Sequence, residues 1–171
     1  CTYCMPKEIF GPGYRFLDQT ELLSFEEITR LVRILKVLGI RKVRLTGGEP
    51  LLRHDLEYLV KMLAEIPNLE LAITTNGSLL SRKAHLLNKA GLDRITVSLD
   101  SLDDKIFKAM NGVNISVENV LDGITAAEDA GFSPLKINMV VKRGINEHLI
   151  IPMAKYFYDS PHIVRFIEYM D

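Results

Sequence analysis

The chain has 171 residues, 47% hydrophobic and 25% charged, and its 21 basic and 22 acidic side chains leave a formal net charge of −1. That balance describes a globular domain with a sizeable core and excludes a disordered chain or a general nucleic-acid binder. The longest apolar runs, such as INMVV and LIIPM, are too short to span a bilayer and no signal-peptide pattern is visible, so a cytoplasmic protein is expected.

The chain opens CTYCMPKEIFGPG, and Cys1 and Cys4 are its only cysteines. It starts on Cys rather than Met and stops on FIEYMD, which reads as a piece of a longer protein. After the opening loop, SFEEITRLVRILKVLG predicts a helix. Ser24 and Glu27 form its capping box, Ile28, Leu31, Val32, Leu35 and Leu38 its apolar stripe, and Gly39 its stop. KVRLT then reads as a strand and GGEP as a turn. DLEYLVKMLAEI is a second amphipathic helix, with Leu56, Leu59, Val60 and Leu63 on one side. LELAIT is a strand, TNG a turn, and SRKAHLLNKAG a helix capped by Ser81 and closed by Gly91. DRITVSLD is the third strand. A short helix near DDKIFKAM and a longer one through VENVLDGITAAEDAG follow, then the buried strand LKINMVV. A helix over NEHLIIPMAKYFY and a last strand, HIVRFIEYM, end the chain.

Strands alternating with helices build a parallel sheet through right-handed crossovers. Both a doubly wound open sheet and a β/α barrel fit that pattern. No linker or repeat is visible, so one domain over 1–171 is expected.

Ligands of parallel α/β folds bind where the strands end. KVRLT places Lys42, Arg44 and Thr46 on one face and Val43 and Leu45 on the other. LAITTNG ends in Thr74, Thr75 and Asn76, and ITVSLD in Ser98 and Asp100. LKINMV carries Lys136 and Asn138 on one face, and VRFIEYM carries Arg165 and Glu168. Buried parallel strands are normally apolar throughout, so Arg44, Lys136 and Arg165 are expected as buried cations needing a counter-charge. Three of them from three strands point to an anionic ligand, a polyphosphate in particular. GGEP after a strand allows close approach of a ligand to the backbone, though Gly-Gly there is more often a tight turn. The phosphate loop GxxxxGK[ST] and the dinucleotide motif GxGxxG are both absent. His54, His85, His148 and His162 lack ligand spacing and are expected on the surface. By itself CxxC fits half a zinc site, a redox pair or part of an iron–sulfur motif.

CTYCMP, followed in order by RLTGGEPLLR, TTNG, VSLD and FIEYMD, resembles the radical S-adenosylmethionine (SAM) enzymes. Within them it resembles the molybdenum cofactor biosynthesis protein A family, the GTP 3′,8-cyclases. The resemblance implies an incomplete (β/α)6 TIM-like barrel, truncated at both ends of this chain. Cys1 and Cys4 would be two of the three thiolates of CxxxCxxC that hold a 4Fe–4S cluster, the third preceding Cys1. The open iron would chelate SAM, whose cleavage gives a 5′-deoxyadenosyl radical. Tyr3, Gly48, Ser98 and Met170 are implied at SAM, Tyr3 and Met170 through their backbone, with Gly47 and Glu49 as secondary candidates. Arg44, Thr74 and Lys136 are implied at the triphosphate of GTP, with Lys42 and Arg165 beside them.

The implied reaction converts GTP to 3′,8-cyclo-7,8-dihydro-GTP, the first step toward molybdopterin. The implied next enzyme is the cyclic pyranopterin monophosphate synthase. A homodimer is compatible with the resemblance, and the electron donor is not readable from it. A second 4Fe–4S cluster is expected beyond Asp171, and the chain alone is expected to be inactive. Two other readings are a radical SAM enzyme acting on another substrate, such as a peptide, and a non-enzymatic CxxC metal-binding protein or lipoprotein.

Overall fold

Alternation of apolar stretches with capped amphipathic ones builds consecutive β/α units in the computed structural model, which describes residues 1–6, 8–11 and 13–170. Pro12 of the opening loop and the closing Asp171 of FIEYMD lie outside the described residues. The elements are α1 (Phe25–Val37), β1 (Lys42–Leu45), α2 (Leu56–Ala64), β2 (Glu70–Thr75), α3 (Leu80–Lys89), β3 (Arg94–Ser98), α4 (Asp104–Asn111), α5 (Val117–Asp129), β4 (Lys136–Val141), α6 (Ile150–Tyr156) and β5 (Ile163–Glu168).

All four strand pairings are parallel and the spatial order is β1-β2-β3-β4-β5. Each strand therefore lies beside its predecessor, and a right-handed crossover repeated in one direction puts every helix on the same side. A doubly wound sheet needs the order to reverse at a switch point, so that alternative falls. The architecture is an incomplete β/α barrel.

Residue periodicity divides the sheet into two faces. Val43, Leu45, Leu71, Ile73, Ile95, Val97, Ile137 and Met139 point toward the helices. There they join Leu59, Val60 and Leu63 of α2, Leu80 and Leu87 of α3, and Val120 and Ile124 of α5 in one core. The alternate residues Lys42, Arg44, Glu70, Thr74, Arg94, Ser98, Lys136 and Asn138 face the other way.

Several local expectations hold. Glu27 N–H donates to Ser24 Oγ (3.1 Å) and Ser24 N–H to Glu27 Oε2 (2.8 Å), which completes the capping box. Gly91 closes α3 at φ +95°. Others change. Helix α3 begins one residue earlier than its expected cap, with Leu79 at the N-cap position and Ser81 already inside the first turn. Of the α1 stripe, Val32 is buried, but Leu31 and Leu38 are 46% and 76% exposed. The reason is position: α1 accompanies the edge strand β1 and has a helical neighbour, α2, on one side. The expected long sixth helix is a 3-10 turn (Glu147–Leu149) followed by only seven α-helical residues. His162 is not a surface residue. Its side chain is 2% exposed, with Nε2 3.3 Å from Glu128 Oε1 and Nδ1 accepting from Leu135 N–H.

Candidate cofactor and substrate site

The two cysteines sit in a tight turn, in which the N–H groups of Cys4 and Met5 both donate to the Cys1 carbonyl (3.2 and 3.0 Å). Both thiols are free and exposed. The turn is held down from outside. Thr2 N–H donates to the Met110 carbonyl at the end of α4 (3.0 Å), and the Tyr3 hydroxyl donates to Asp100 Oδ2 just past β3 (2.8 Å). Burial is the main reason the Tyr3 phenol stays protonated far above the ordinary tyrosine range, and the neighbouring Asp100 carboxylate adds to it.

Beneath this turn lies a cavity of about 400 Å³, walled by Cys1, Cys4, Gly48, Ser98, Asp100 and Asn111 among others. Its size suits a small cofactor (about 300–1,000 Å³). The strand ends that form it are tied together by Glu49. Its Oε1 accepts from Thr75 Oγ1 (2.7 Å) and Leu51 N–H (3.0 Å), and its Oε2 from Asn76 N–H (2.7 Å). The GGEP turn is thereby locked to the TNG turn, and the Glu49 carboxylate is spent on the protein itself. Gly48 comes close under the cysteine turn: a Cβ there would stand 3.6 Å from Met5 Sδ. A larger, more open groove of about 930 Å³ runs along the edge strand β5, bordered by Lys142, Arg143, Phe166 and Tyr169, and holds neither cysteine.

The sheet face turned away from the helices carries the cations. Arg44 donates to Thr74 Oγ1 (2.7 Å) and Thr96 Oγ1 (3.1 Å), reaching across two strands. Glu70 bridges Lys42 Nζ (2.5 Å) and Arg94 Nε (2.8 Å). Lys136 stands in register with Thr96, and Arg165 with Asn138. Arg44 and Arg165 are exposed and Lys136 is half-buried, which corrects the expectation of three buried cations. Helices cover one face only, so these side chains line an open face and keep their hydration. Among the described residues, five cations nevertheless share it with the single carboxylate of Glu70. The pKa of Lys136 is held below the ordinary lysine range, first by partial desolvation and then by Arg165, Lys42, Arg94 and Arg44.

A lysine with a lower pKa in the folded than in the unfolded protein destabilises the fold while protonated, and that cost is relieved only as pH rises through its folded pKa toward the ordinary lysine value. Lys136→Met is therefore expected to raise the thermal midpoint of the ligand-free protein at neutral pH and low salt. The gain should fade above roughly 0.5 M salt as screening removes the repulsion. A midpoint that falls at low salt would show the repulsion to be negligible.

Of the residues expected at a site, Cys1, Cys4, Gly47, Gly48, Glu49 and Ser98 meet at the cavity, and Tyr3, between the two cysteines in sequence, is bonded to Asp100 of the cavity wall. Lys42, Arg44, Thr74, Lys136 and Arg165 meet on the open sheet face. Met170 joins neither group; it follows β5 and is 87% exposed. Sequence reasoning missed Arg94 and Thr96, although DRITVSLD alternates Arg94, Thr96 and Ser98 in the same period-two pattern as KVRLT. Asn138 Oδ1 is buried without a hydrogen-bond partner among the described residues.

A family model described as the radical SAM superfamily matches residues 1–157. The chain belongs to that superfamily. Radical SAM enzymes work with a 4Fe–4S cluster and SAM, and two free thiols beside a glycine-walled cavity are the donors such a cluster takes. Among the described residues no three His, Cys, Asp or Glu side chains group as a metal site.

A GTP 3′,8-cyclase of Acidothermus cellulolyticus is 55% identical over the whole chain, which covers 48% of that relative. One from Staphylococcus carnosus is 49% identical, again over the whole chain and 50% of the relative. The radical SAM chain thus spans about half the length of the curated relatives it matches. Among solved structures, Streptococcus suis SuiB bound to S-adenosylmethionine superposes with a TM-score of 0.72 at 23% identity, over 93% of this chain and 36% of that one. No helix among the described residues is long and apolar enough to cross a membrane.

Proposed function

We propose that the chain provides the cofactor pocket and the triphosphate platform of a GTP 3′,8-cyclase. The observation that carries this reading is the cation-rich sheet face beside the cysteine cavity. Like charges gathered at a cost to the apo fold make sense when a polyanion neutralises them. Arg44 presents a planar fork already aligned by Thr74 and Thr96, suited to two phosphate oxygens, while Lys42, Lys136 and Arg165 act as point charges around it. Arg94 and Thr96 extend the expected set. The unpartnered Asn138 Oδ1 lies on this face in register with Ser98, where a ligand hydroxyl or amide would satisfy it.

At the cavity, Cys1 and Cys4 hold the cluster with a third thiolate from outside this sequence. The backbones of Tyr3 and Gly48 and the end of β3 at Ser98 orient SAM, while Met170, exposed after β5, stays outside this set. Bound there, the cluster and SAM would supply the one-electron, radical chemistry acting on GTP. The protein's own contribution is to hold the ribose of GTP over the cavity while its phosphates are anchored on the sheet face, with Phe107 and Ile115 as apolar parts of the cavity wall. The second cluster, a cytoplasmic setting, a homodimer and hand-over to cyclic pyranopterin monophosphate synthase belong to the same reading.

The test is GTP binding by the full protein after anaerobic cluster reconstitution. Arg44→Ala and Lys136→Ala should each weaken it at least about tenfold, as expected for removing one charge-assisted contact. Unchanged GTP affinity in both variants would sink the cyclase reading and move the chain toward a radical SAM enzyme with another substrate, such as a peptide.

A further inference from the structure

The Tyr3 hydroxyl has no obvious business with a carboxylate. Phenols bond to water or backbone at little cost, whereas burying a carboxylate is expensive. Asp100 is nevertheless 2% exposed, and both of its oxygens are used. Oδ1 accepts from Val140 N–H on β4 (2.8 Å) and Oδ2 from Tyr3 (2.8 Å). Its main chain is fixed as well. Asn146, fully buried in the loop after β4, donates from Nδ2 to the Asp100 carbonyl (2.7 Å) and to the Val140 carbonyl (2.8 Å). Asn146 Oδ1 in turn accepts from Lys142 N–H (2.8 Å). Asp100 is therefore immobilised from β3, β4 and the following loop, and it offers one oxygen outward to the cysteine turn.

The donor to that oxygen, Tyr3, stands between the two cysteines in sequence. The Tyr3 ring also packs edge-on against Tyr169, whose face lies 4.2 Å from Lys142 Nζ. We infer that Asp100 is the positioning residue for the Cys1–Cys4 turn, acting through the Tyr3 hydroxyl so that the sheet sets the spacing of the two thiols. Hydrogen bonds around the ligands and their geometry tune a metal centre, so this bond reaches the cluster without touching it. The inference rests on membership of the radical SAM superfamily and on nothing about GTP. Failure of the Arg44 and Lys136 test would leave it standing.

Tyr3→Phe removes only the hydroxyl and leaves Asp100 its bond to Val140. In the metal-free protein, hydrogen exchange at the amides of Thr2, Cys4 and Met5 should accelerate about tenfold while β2, β3 and β4 exchange as in the wild type. In the reconstituted full protein, iron content should stay the same. The electron paramagnetic resonance spectrum of the reduced cluster should broaden, and its change on adding SAM should need about tenfold more SAM. Asp100→Asn should reproduce these effects, and the double variant should add little to either. Wild-type exchange and spectrum in Tyr3→Phe would overturn the inference. So would a lowered thermal midpoint with an unchanged SAM titration, because that is the mark of a merely structural bond. If Asp100→Asn does not fold, Tyr3→Phe decides alone.

Discussion

Glu49→Ala is expected to cost the fold about 3 kcal/mol and to weaken SAM binding in the same variant. Its carboxylate accepts three hydrogen bonds from two different turns, and two donors, Thr75 Oγ1 and Asn76 N–H, belong to the end of β2. Thr75 is only 2% exposed, so water does not readily replace the lost acceptor. Alanine leaves these donors unpaired and frees the GGEP turn to move against the cavity floor. Glu49→Gln keeps the shape but presents an amide N–H to one of the donors, so about half the loss is expected. Urea denaturation of the metal-free protein and SAM titration of the reconstituted one measure the two effects. A variant with normal stability and impaired SAM binding would instead make Glu49 a ligand contact, as the family resemblance allows.

Gly123→Ala is the second large effect. In the middle of an exposed helix this change stabilises by about 1 kcal/mol. Here the added Cβ would stand 2.5 Å from the Gly77 carbonyl oxygen and 3.0 Å from Leu80 Cβ. The obstacle is backbone, so α5 must move away from the TNG turn and α3. Overpacking of that kind costs about 3 kcal/mol, which outweighs the helix-propensity gain and leaves a net loss near 2 kcal/mol. Gly77 is itself pinned, with φ +80° and a would-be Cβ 2.9 Å from Val120 Cγ1, so the turn has no room to yield. Chemical denaturation reads the result. A stabilised Gly123→Ala protein would mean that α5 does not approach the turn this closely.

The two glycines show where the sequence was legible and where it was not. TNG reads as a turn from composition, and its glycine takes the conformation the turn needs. Gly123 sits in a helix that reads correctly from its periodicity, but the reason for a glycine there lies in a turn elsewhere in the chain. The cation stripe was readable for the same reason as the strands. Period two puts Lys42 with Arg44 and Lys136 with Asn138 on one face regardless of what surrounds them. Their burial was not readable, because it depends on whether anything covers that face. His162 errs in the opposite direction: it has no marked pattern in sequence, yet Glu128 and the Leu135 backbone enclose it. Strand ends carrying Ser98 and Asp100 stood out, while the partner of Asp100 did not, since Tyr3 lies 97 positions away.

That separation has a consequence for the order in which the molecule is made. Every strand pairs with the one synthesised just before it, so the sheet can grow unit by unit as the chain emerges. The cysteine turn precedes every element of the sheet in the chain but is fastened only after β3 and α4. Its side-chain anchor on Asp100 and its backbone anchor on Met110, 108 positions away from Thr2, exist only after β3 and α4 have formed. Until then the two thiols lie on a stretch of chain without these anchors and have no defined spacing to offer a metal. Iron–sulfur assembly is thereby made to wait for the scaffold that protects it.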